Sequence, residues 1–371
     1  MMRALKRPRT IPIDNRVPPD QKFDRLVKFQ TIKGARDIME FGITFKGFVE
    51  AERARYLVRA AEYAGFSYCW FYDSHILWRD CYAAIAMCME HTTDMRFGPL
   101  VTNPDVRDWS VAASIFGSLS KQSGGRFDLA VGRGDSSMRV MGKKPATLKR
   151  VAEFIDKTKA MVRGEEVSYG EIPAAVKFPW AVGHEMPSWI AAYGPLALKT
   201  AGESADGVVL QIADPGLCKW FTDQCIEAGT AAGKDMSNYR SMAAAPAYFG
   251  DKKRAIEHVK WFPAMVGNHV ADIVEKYGAD SDKVPQSLTS YIEKRRGYDY
   301  SKHGQADNPY LDFITDDVVE SFCVLGEPDE HIAKIHELEA AGVTQFNIYL
   351  DSGDEEEIIA RYGREVIPAF R

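Results

Sequence analysis

From residue 39 onward, short runs rich in β-branched and aromatic residues alternate with amphipathic helical stretches. Most of these runs are almost continuously apolar, which is typical of parallel strands that helices cover on both faces. The alternation predicts an α/β fold, and eight such units favour a closed (β/α)8 (TIM) barrel over an open sheet. The predicted strands are Phe41–Phe45, Tyr68–Tyr72, Phe97–Thr102, Phe127–Val131, Ser188–Ala192, Gly207–Gln211, Met242–Phe249 and Gln345–Leu350.

A doubly wound open sheet is the alternative architecture for this alternation. Dinucleotide-binding sheets carry the pattern GxGxxG after their first strand, whereas the sequence here continues Phe-Lys-Gly-Phe-Val-Glu. The helix signals agree with the barrel, because Glu50–Ala64 ends on Gly65 and the stretch after Pro328 ends at Gly342. The barrel is therefore the favoured architecture for residues 39–371.

Two segments depart from the alternation. Residues 1–38 hold ten Lys or Arg against four Asp, so this arm carries +6 in a chain of net charge −5. We expect the arm to lie across the barrel or a neighbouring subunit, and a transit peptide or a polyanion-binding segment is the alternative. Residues 250–312, between the last two predicted strands, have no strand pattern and are rich in Tyr, Trp, His and Arg, which predicts a lid.

Composition excludes several classes of protein. The 47 basic and 52 acidic residues argue against a nucleic-acid binder, and the longest apolar run, Cys81 to Met89, is too short for a bilayer. The six cysteines form no CxxC pair and no zinc spacing, and HExxH is absent. We expect a reduced, cytoplasmic protein with no metal site.

Candidate catalytic residues follow the second predicted strand, since reacting groups in a barrel sit at the carboxyl ends of strands. Two-residue periodicity puts Asp73 and His75 on one side, where a carboxylate and an imidazole suit acid–base catalysis. Capping of the next helix is the alternative role for His75. After the third strand, the amide of Asn103 suits the edge of a heteroaromatic ring, or else a turn before Pro104.

Glycine-containing turns follow the fourth and fifth strands. In the turn Gly132-Arg-Gly134-Asp-Ser-Ser, the two glycines permit a close approach of ligand to backbone, and the serines can donate to a phosphate or ribityl chain. After the fifth strand, Gly194 and Pro195 begin a helix whose free N–H groups form an anion site. A phosphate-bearing cofactor would anchor there, and a helix start without a ligand is the alternative.

Several of these segments together resemble the luciferase-like monooxygenase superfamily. Residues 119–136 (LSKQSGGRFDLAVGRGDS) resemble its passage L-S-x-G-R-x-x-L-G-x-G, and the form Gly-Arg-Gly-Asp-Ser is similar to its methylenetetrahydromethanopterin-reductase-like branch. Thr102-Asn103-Pro104 with Arg107 resembles that branch too. Asp73 and His75 resemble its Asp-His pair with Ser74 interposed, and residues 191–195 with 205–207 resemble its phosphate loop.

The resemblance implies a barrel that binds reduced FMN or coenzyme F420 across its mouth, in a homodimer or tetramer. It places Asp73 and His75 near the ring and the substrate, and Thr102 and Asn103 at the ring edge. It also implies that the ribityl chain and phosphate of the cofactor contact residues of the two glycine-containing turns, namely Gly132, Gly134, Asp135, Ser136, Ala192, Tyr193, Gly194 and Pro195.

The expected function is that of a two-component monooxygenase. No nicotinamide fingerprint is visible, so reduced FMN would come from a separate flavin reductase, and oxygen would be transferred to a small organic substrate such as a nitrogen heterocycle. The alternative is F420-dependent hydride transfer, because a deazaflavin has carbon where a flavin has N5 and does not activate oxygen. A flavin-binding barrel without catalysis and a metal-dependent barrel hydrolase are further alternatives.

Overall fold

A computed structural model describes residues 39–46, 49–170, 174–278, 283–350 and 353–371, so the predicted basic arm, 1–38, lies outside the described residues. Parallel strands form the central sheet of the described part. They are β1 (Glu40–Phe45), β2 (Tyr68–Phe71), β3 (Arg96–Pro99), β4 (Leu129–Val131), β5 (Ser188–Ala191), β6 (Gly207–Leu210), β7 (Arg240–Ala245) and β8 (Gln345–Leu350).

The sheet closes into a barrel. Its hydrogen-bonded order is β3-β2-β1-β8-β7-β6-β5-β4, and the isolated bridges Phe97–Phe127 and Thr102–Val131 join β3 to the β4 region. Residues of β8 are buried along the whole strand, because helices cover the outside and side chains fill the inside. The (β/α)8 prediction is therefore confirmed.

Helices surround the barrel and connect its strands. Several have strong boundary signals: the helix after β1 ends on Gly65 in the left-handed conformation, and the Asp80 and Asp108 side chains cap the two helices that follow β2 and β3. The α-helices are Ala51–Ala64, Cys81–Met89, Trp109–Ser123, Asp135–Arg139, Leu148–Arg163, Pro195–Ser204, Pro215–Ala231, Lys252–Val259, Trp261–Tyr277, Gln286–Thr289, Asp316–Phe322, Pro328–Ala340 and Glu355–Arg361.

Shorter elements complete the described part. The 3-10 turns are Ser290–Ile292, Tyr300–Lys302 and Ile367–Phe370, with a π-helical turn at Tyr362–Val366. A small antiparallel pair joins Val167–Ser168 to Ala175–Val176. All six cysteines are buried and free, which agrees with the expectation from their spacing. No helix in the described ranges has the length and apolarity needed to cross a membrane.

Several predicted strands are longer than the observed ones by one or two residues, and the third and seventh differ most. The third ends at Pro99 and not at Thr102, since the chain leaves the sheet at the residues that line the barrel mouth. The seventh is divided at Pro246, which lacks the N–H that a ladder requires. Its second part, Ala247–Phe249, pairs in parallel with Val324–Gly326 outside the barrel, and the sequence analysis did not predict the latter strand.

The predicted insertion, 250–312, is helical in its described residues. The helices Lys252–Val259 and Trp261–Tyr277 come first, and a short helix and two 3-10 turns follow. Buried residues occupy most of the first three turns of Trp261–Tyr277, and Phe262 and Val266 have no exposed surface. The helix is therefore packed into the molecule and forms one wall of the barrel mouth.

Candidate active site

A cleft opens at the carboxyl ends of the barrel strands and encloses about 1340 Å3, including its solvent-facing mouth. In (β/α)8 barrel enzymes the active site lies at this end of the barrel. Loops after β2, β3, β4, β5 and β6 line one side, and the helix Trp261–Tyr277 with the turn at residues 300–303 lines the other. Apolar surface comes from Leu100, Val101, Ala191, Val209, Met265 and Ile273.

Asp73 lies at the cleft edge, and both oxygens of its carboxylate accept hydrogen bonds. Oδ2 accepts hydrogen bonds from Tyr82 Oη (3.1 Å), Thr102 Oγ1 (2.7 Å) and Arg107 (2.7 Å), and Oδ1 accepts from Arg107 at 3.1 Å. Burial alone would lower the pKa of Arg107, but the Asp73 carboxylate, with contributions from Tyr82 and Cys81, raises this pKa overall. This geometry holds the loops after β2 and β3 together as a charged, hydrogen-bonded unit.

The structure does not bring His75 to the cleft. Strand β2 ends at Phe71, and the N–H groups of Leu77 and Trp78 both bind the carbonyl of Ser74, so the chain is turning where two-residue alternation was assumed. His75 is exposed, whereas the neighbouring Ser74 is buried and lines the cleft. Ser74 Oγ lies 3.2 Å from Ser136 Oγ in the loop after β4.

Thr102 and Asn103 lie behind the cleft wall. Both are buried, and neither is among the residues that line the cleft. Thr102 donates to Asp73, and Asn103 Nδ2 donates to Ser137 Oγ at 2.9 Å. The geometry therefore gives these two residues a supporting position rather than the ring-edge contact that was expected.

The loop after β4 lines the cleft as expected, through Gly132, Gly134, Asp135 and Ser136. Gly134 has φ +82°, and a Cβ there would lie 2.6 Å from the Asn103 side chain. Only glycine is compatible with both this conformation and this close approach. The tight turn presents Asp135 and Ser136 to the cleft at the start of a short helix.

The turn after β5 places Ala192, Tyr193 and Gly194 at the cleft, while Pro195 begins the helix without lining it. Gly194 is the N-cap, and no side chain caps this helix. Leu196 and Ala197 of the first turn line the cleft. Helix N-termini attract anions, so this end of the cleft suits a phosphate.

A positively charged side chain, that of Lys276, lies on the wall opposite this helix start. Ile273 of the helix Trp261–Tyr277 lies 3.4 Å from where a Gly194 Cβ would be, and Lys276 follows Ile273 by about one helical turn. Lys276 is exposed and lines the cleft, and its Nζ lies 5.3 Å from the ring centre of Tyr277. Its ammonium group adds positive charge to the same end of the cleft.

Further polar lining comes from the insertion and was not predicted residue by residue. His269 stacks on Tyr193, with ring centroids 4.8 Å apart, and its Nδ1 lies 3.9 Å from Asp135 Oδ2. Burial lowers the pKa of His269, and Asp135 opposes that shift. The aromatic and histidine-rich composition of 250–312 signalled the lining, but no periodicity showed which side chains face the cleft.

Arg139 fastens the insertion to the loop after β4. It contacts Asp272 at 2.5 Å and Asp135 at 3.3 Å, and its guanidinium lies 5.8 Å from the ring centre of Tyr300. No cluster of three His, Cys, Asp or Glu side chains that could hold a metal occurs among the described residues. Arg139 therefore forms ion pairs with one residue on each of the two walls of the cleft.

The barrel therefore has, at the carboxyl ends of its strands, a cleft with mixed apolar and polar lining and an uncapped helix start at one end. The sequence profile of one family, luciferase-like monooxygenase, matches residues 39–345. The chain therefore belongs to the luciferase-like monooxygenase family.

Similar proteins cover nearly the whole chain. The 5,10-methylenetetrahydromethanopterin reductase of Archaeoglobus fulgidus is 30% identical over 351 residues, which are 90% of this chain and 100% of the relative. The F420-dependent glucose-6-phosphate dehydrogenase of Amycolatopsis mediterranei is 25% identical, over 87% of this chain and 96% of the relative. Both relatives are oxidoreductases by name.

Solved structures of related enzymes superpose on the described part of this chain. The coenzyme F420-dependent tetrahydromethanopterin reductase from Methanopyrus kandleri superposes with a TM-score of 0.70 at 25% identity, over 90% of this chain and 100% of that one. The FMN-bound oxygenating constituent of 3,6-diketocamphane monooxygenase from Pseudomonas putida gives 0.61 at 16% identity, over 89% and 98%. The latter likeness shows the shared fold alone.

Proposed function

We propose that this chain is an oxidoreductase that transfers hydride between coenzyme F420 and an organic substrate. This is the alternative raised in the sequence analysis, and it takes precedence over FMN-dependent oxygenation. The observation that carries it is the relatedness to F420-dependent enzymes along almost the whole chain. The FMN-binding neighbour supports the monooxygenase interpretation only through its fold.

The cleft fits a tricyclic ring with an anionic tail. Leu100 and Val101, which are joined by a cis peptide bond, and Val209 offer apolar surface for the ring. Gly132 leaves room beside this surface, since a Cβ there would lie 2.7 Å from Val101. The uncapped helix start at Gly194 offers N–H groups to a phosphate.

The tail of F420 distinguishes it from FMN at this end of the cleft. F420 carries a phosphodiester followed by carboxylates, whereas FMN ends in a phosphate. The helix start at Gly194 with Lys276 would hold the phosphodiester, and the open mouth beside Lys276 leaves space for further carboxylates. Charge-assisted hydrogen bonds of this kind are about twice as strong as neutral ones.

When bound, F420 supplies a carbon that accepts or donates a hydride. The chain's own groups orient the ring and shield it from water: the helix Trp261–Tyr277 covers one side, and Ser74 with Ser136 lines the other. Asp73 and Arg107 hold the two loops that frame the ring. Under this proposal no separate flavin reductase is required, while a homodimer or tetramer stays a prediction from the resemblance.

Anaerobic titration of the purified protein with F420 and, separately, with FMN tests the proposal. We expect F420 to bind at least tenfold more tightly than FMN, and the reduced F420 complex to consume no oxygen when air is admitted. Lys276→Gln should weaken F420 binding, whereas the matched exposed variant Lys253→Gln should not. Tight binding of reduced FMN with rapid oxygen uptake, and no binding of F420, would overturn the proposal.

A further inference from the structure

Two imidazoles of the insertion, His269 and His303, line the cleft, and no step described above uses them. His269 contributes to lowering the pKa of His303. They belong to different parts of the insertion, the helix Trp261–Tyr277 and the turn after residue 302. Their protonation states decide what they can offer to a substrate.

The hydrogen bonds around Tyr298 determine the tautomer of His303. Tyr298 Oη accepts the N–H of Gly304 at 3.2 Å. Its own proton is then directed at His303 Nδ1, 3.2 Å away. We assign Nδ1 of His303 as an acceptor, so the proton of the neutral ring is on Nε2.

His303 is a neutral donor at physiological pH. Burial lowers its pKa to about 3, and the positive charges of His269 and Lys46 act in the same direction. Within the described ranges, no protein acceptor is bonded to Nε2. Because His303 lines the cleft, this N–H is available to an acceptor atom of a ligand.

His269 is placed to exchange a proton. Its ring is packed against Tyr193, and the Asp135 carboxylate lies 3.9 Å from Nδ1. A nearby carboxylate stabilises the imidazolium that forms when the ring takes up a proton. Since burial favours the neutral ring and Asp135 favours the charged one, the ring can serve as base and, after protonation, as acid.

We propose that His303 donates a hydrogen bond from Nε2 to the oxygen of an alcohol or carbonyl substrate, and that His269 exchanges the proton of that oxygen. The inference rests on the proposed F420-dependent function. In the oxidation direction the carbinol C–H bond breaks and its electron pair leaves with the hydrogen to F420. The O–H bond breaks as its proton passes to His269, and the C=O bond forms.

The chemistry of the donor favours oxygen at the reacting carbon. A neutral N–H polarises a carbonyl oxygen and stabilises negative charge that develops on it. A methylene group bridging two nitrogens, such as the one named in the reductase relatives, has no oxygen at the reacting carbon to accept this hydrogen bond. The pair of imidazoles therefore indicates a substrate class different from that of those relatives.

Spectroscopy on the F420-loaded protein tests the donor without a turnover assay. With ring-15N-labelled histidine, the expected signals at pH 7 show His303 protonated on Nε2 only. Propan-2-ol and cyclohexanol, used as probes, should shift the Nε2 resonance of His303. A proton on Nδ1, an imidazolium ring, or a resonance that none of these alcohols shifts would overturn the inference.

Turnover then separates the substrate classes, with the same alcohols and oxidised F420 in one arm and 5,10-methylenetetrahydromethanopterin with reduced F420 in the other. Losing an oxyanion donor typically costs about 10²–10³-fold in rate. We expect such a loss with alcohols in His303→Phe, a loss below about tenfold in His303→Gln, which keeps an N–H, and none in the exposed control His91→Phe.

The pH dependence of the rate tests separately whether His269 acts as the base. His269→Gln should abolish the rise of the alcohol-oxidation rate with pH, whereas a merely structural role would lower the rate equally at every pH. Methylene-pterin turnover at the same rate in His303→Phe and the unsubstituted protein, without alcohol turnover, would overturn the inference. Failure of F420 to bind at all would instead overturn the proposed function, so the two failures are distinguishable.

Discussion

Arg107 binds the Asp73 carboxylate through both terminal nitrogens, at 2.7 and 3.1 Å, where the loops after β2 and β3 meet. The Asp73 side chain is 1% exposed and the Arg107 side chain 15%. The guanidinium also lies 4.8 Å from the ring centre of Tyr82. The pair therefore joins the two loops at the edge of the cleft.

Replacing Arg107 should destabilise the protein strongly. Arg107→Met leaves a buried carboxylate without its counter-charge, which typically costs about 3–5 kcal/mol. Urea unfolding measures the change. The matched control is Arg79→Met, which removes an exposed pair with Glu50 (61% and 73% exposed side chains) and should cost less than about 1 kcal/mol. Equal losses in the two variants would contradict a structural role for the buried pair.

Substitution of the two neighbouring residues Ser74 and His75 should affect F420 binding differently. Ser74→Ala removes a hydroxyl that lines the cleft, and losing one hydrogen bond of about 1 kcal/mol from this hydroxyl to F420 corresponds to roughly fivefold weaker binding. His75→Ala alters an exposed side chain outside the cleft and should leave the dissociation constant of F420 unchanged. A larger effect from His75 would restore the role that the sequence predicted for it.

The barrel could be predicted because its signals are local. Continuous apolar runs, glycine C-caps such as Gly65 and a proline at the first helical position, Pro195, each report on a few neighbouring residues. Strand ends were predicted less well. Pro246 divides the seventh strand, and its second part pairs with Val324–Gly326, about eighty residues further along, which no local pattern indicates.

In the candidate site, too, the features that depend on local sequence could be predicted, and the contacts that depend on tertiary packing could not. The glycine-containing turns at Gly134 and Gly194 could be found, because backbone conformation and helix starts leave marks in the sequence. The contacts of His269 and His303 could not, since they depend on how the insertion packs across the mouth. For His75 the period-two assumption failed, because the strand had already ended at Phe71.

Gly194 should matter for cofactor binding more than for folding. Its φ of −91° is open to any residue, and an added Cβ would lie 3.4 Å from Ile273, so Gly194→Ala should be tolerated. Gly194→Val adds two more methyl groups than Gly194→Ala, at the helix start where the proposed phosphate site lies. We expect F420 affinity to fall at least tenfold while the free energy of unfolding changes by less than about 1 kcal/mol.

Isothermal titration and urea unfolding of the two Gly194 variants check this expectation. Gly134→Ala is the contrasting variant, because its φ of +82° and the 2.6 Å approach to Asn103 should make it destabilising. Unchanged F420 affinity in Gly194→Val would remove the helix start at Gly194 from the cofactor site.

Arg139 should control how firmly the insertion is docked. Arg139→Gln removes the contacts with Asp272 and Asp135, and partly exposed pairs of this kind contribute about 0.2–1 kcal/mol. Hydrogen exchange of the helix Trp261–Tyr277 should become faster, with little change in the barrel strands. Lys219→Gln, which removes an exposed pair within a single helix, is the control. Equal exchange rates in both variants would contradict the docking role.

His331 should make the protein less stable in acid. Its Nε2 lies 3.2 Å from the carbonyl of Tyr248, which it can only donate to, so Nδ1 accepts from Tyr362 Oη at 2.9 Å. Burial lowers the pKa of His331 to about 4, whereas 6.5 is the value for an unperturbed imidazole. The unfolded chain therefore binds a proton more readily than the folded one across this interval.

Because the folded-state pKa is depressed, the stability is complete above about pH 6.5 and is lost as pH falls toward 4. From these two pKa values, His331 alone should lower the free energy of unfolding by about 2 kcal/mol between pH 7.5 and 5. Urea unfolding at pH 7.5, 6 and 5 measures the slope. His331→Gln keeps hydrogen-bonding groups without a titrating proton and should flatten that slope, whereas the half-exposed His336→Gln should not. Parallel slopes in the two variants would show that other groups, such as His303, cause the acid sensitivity.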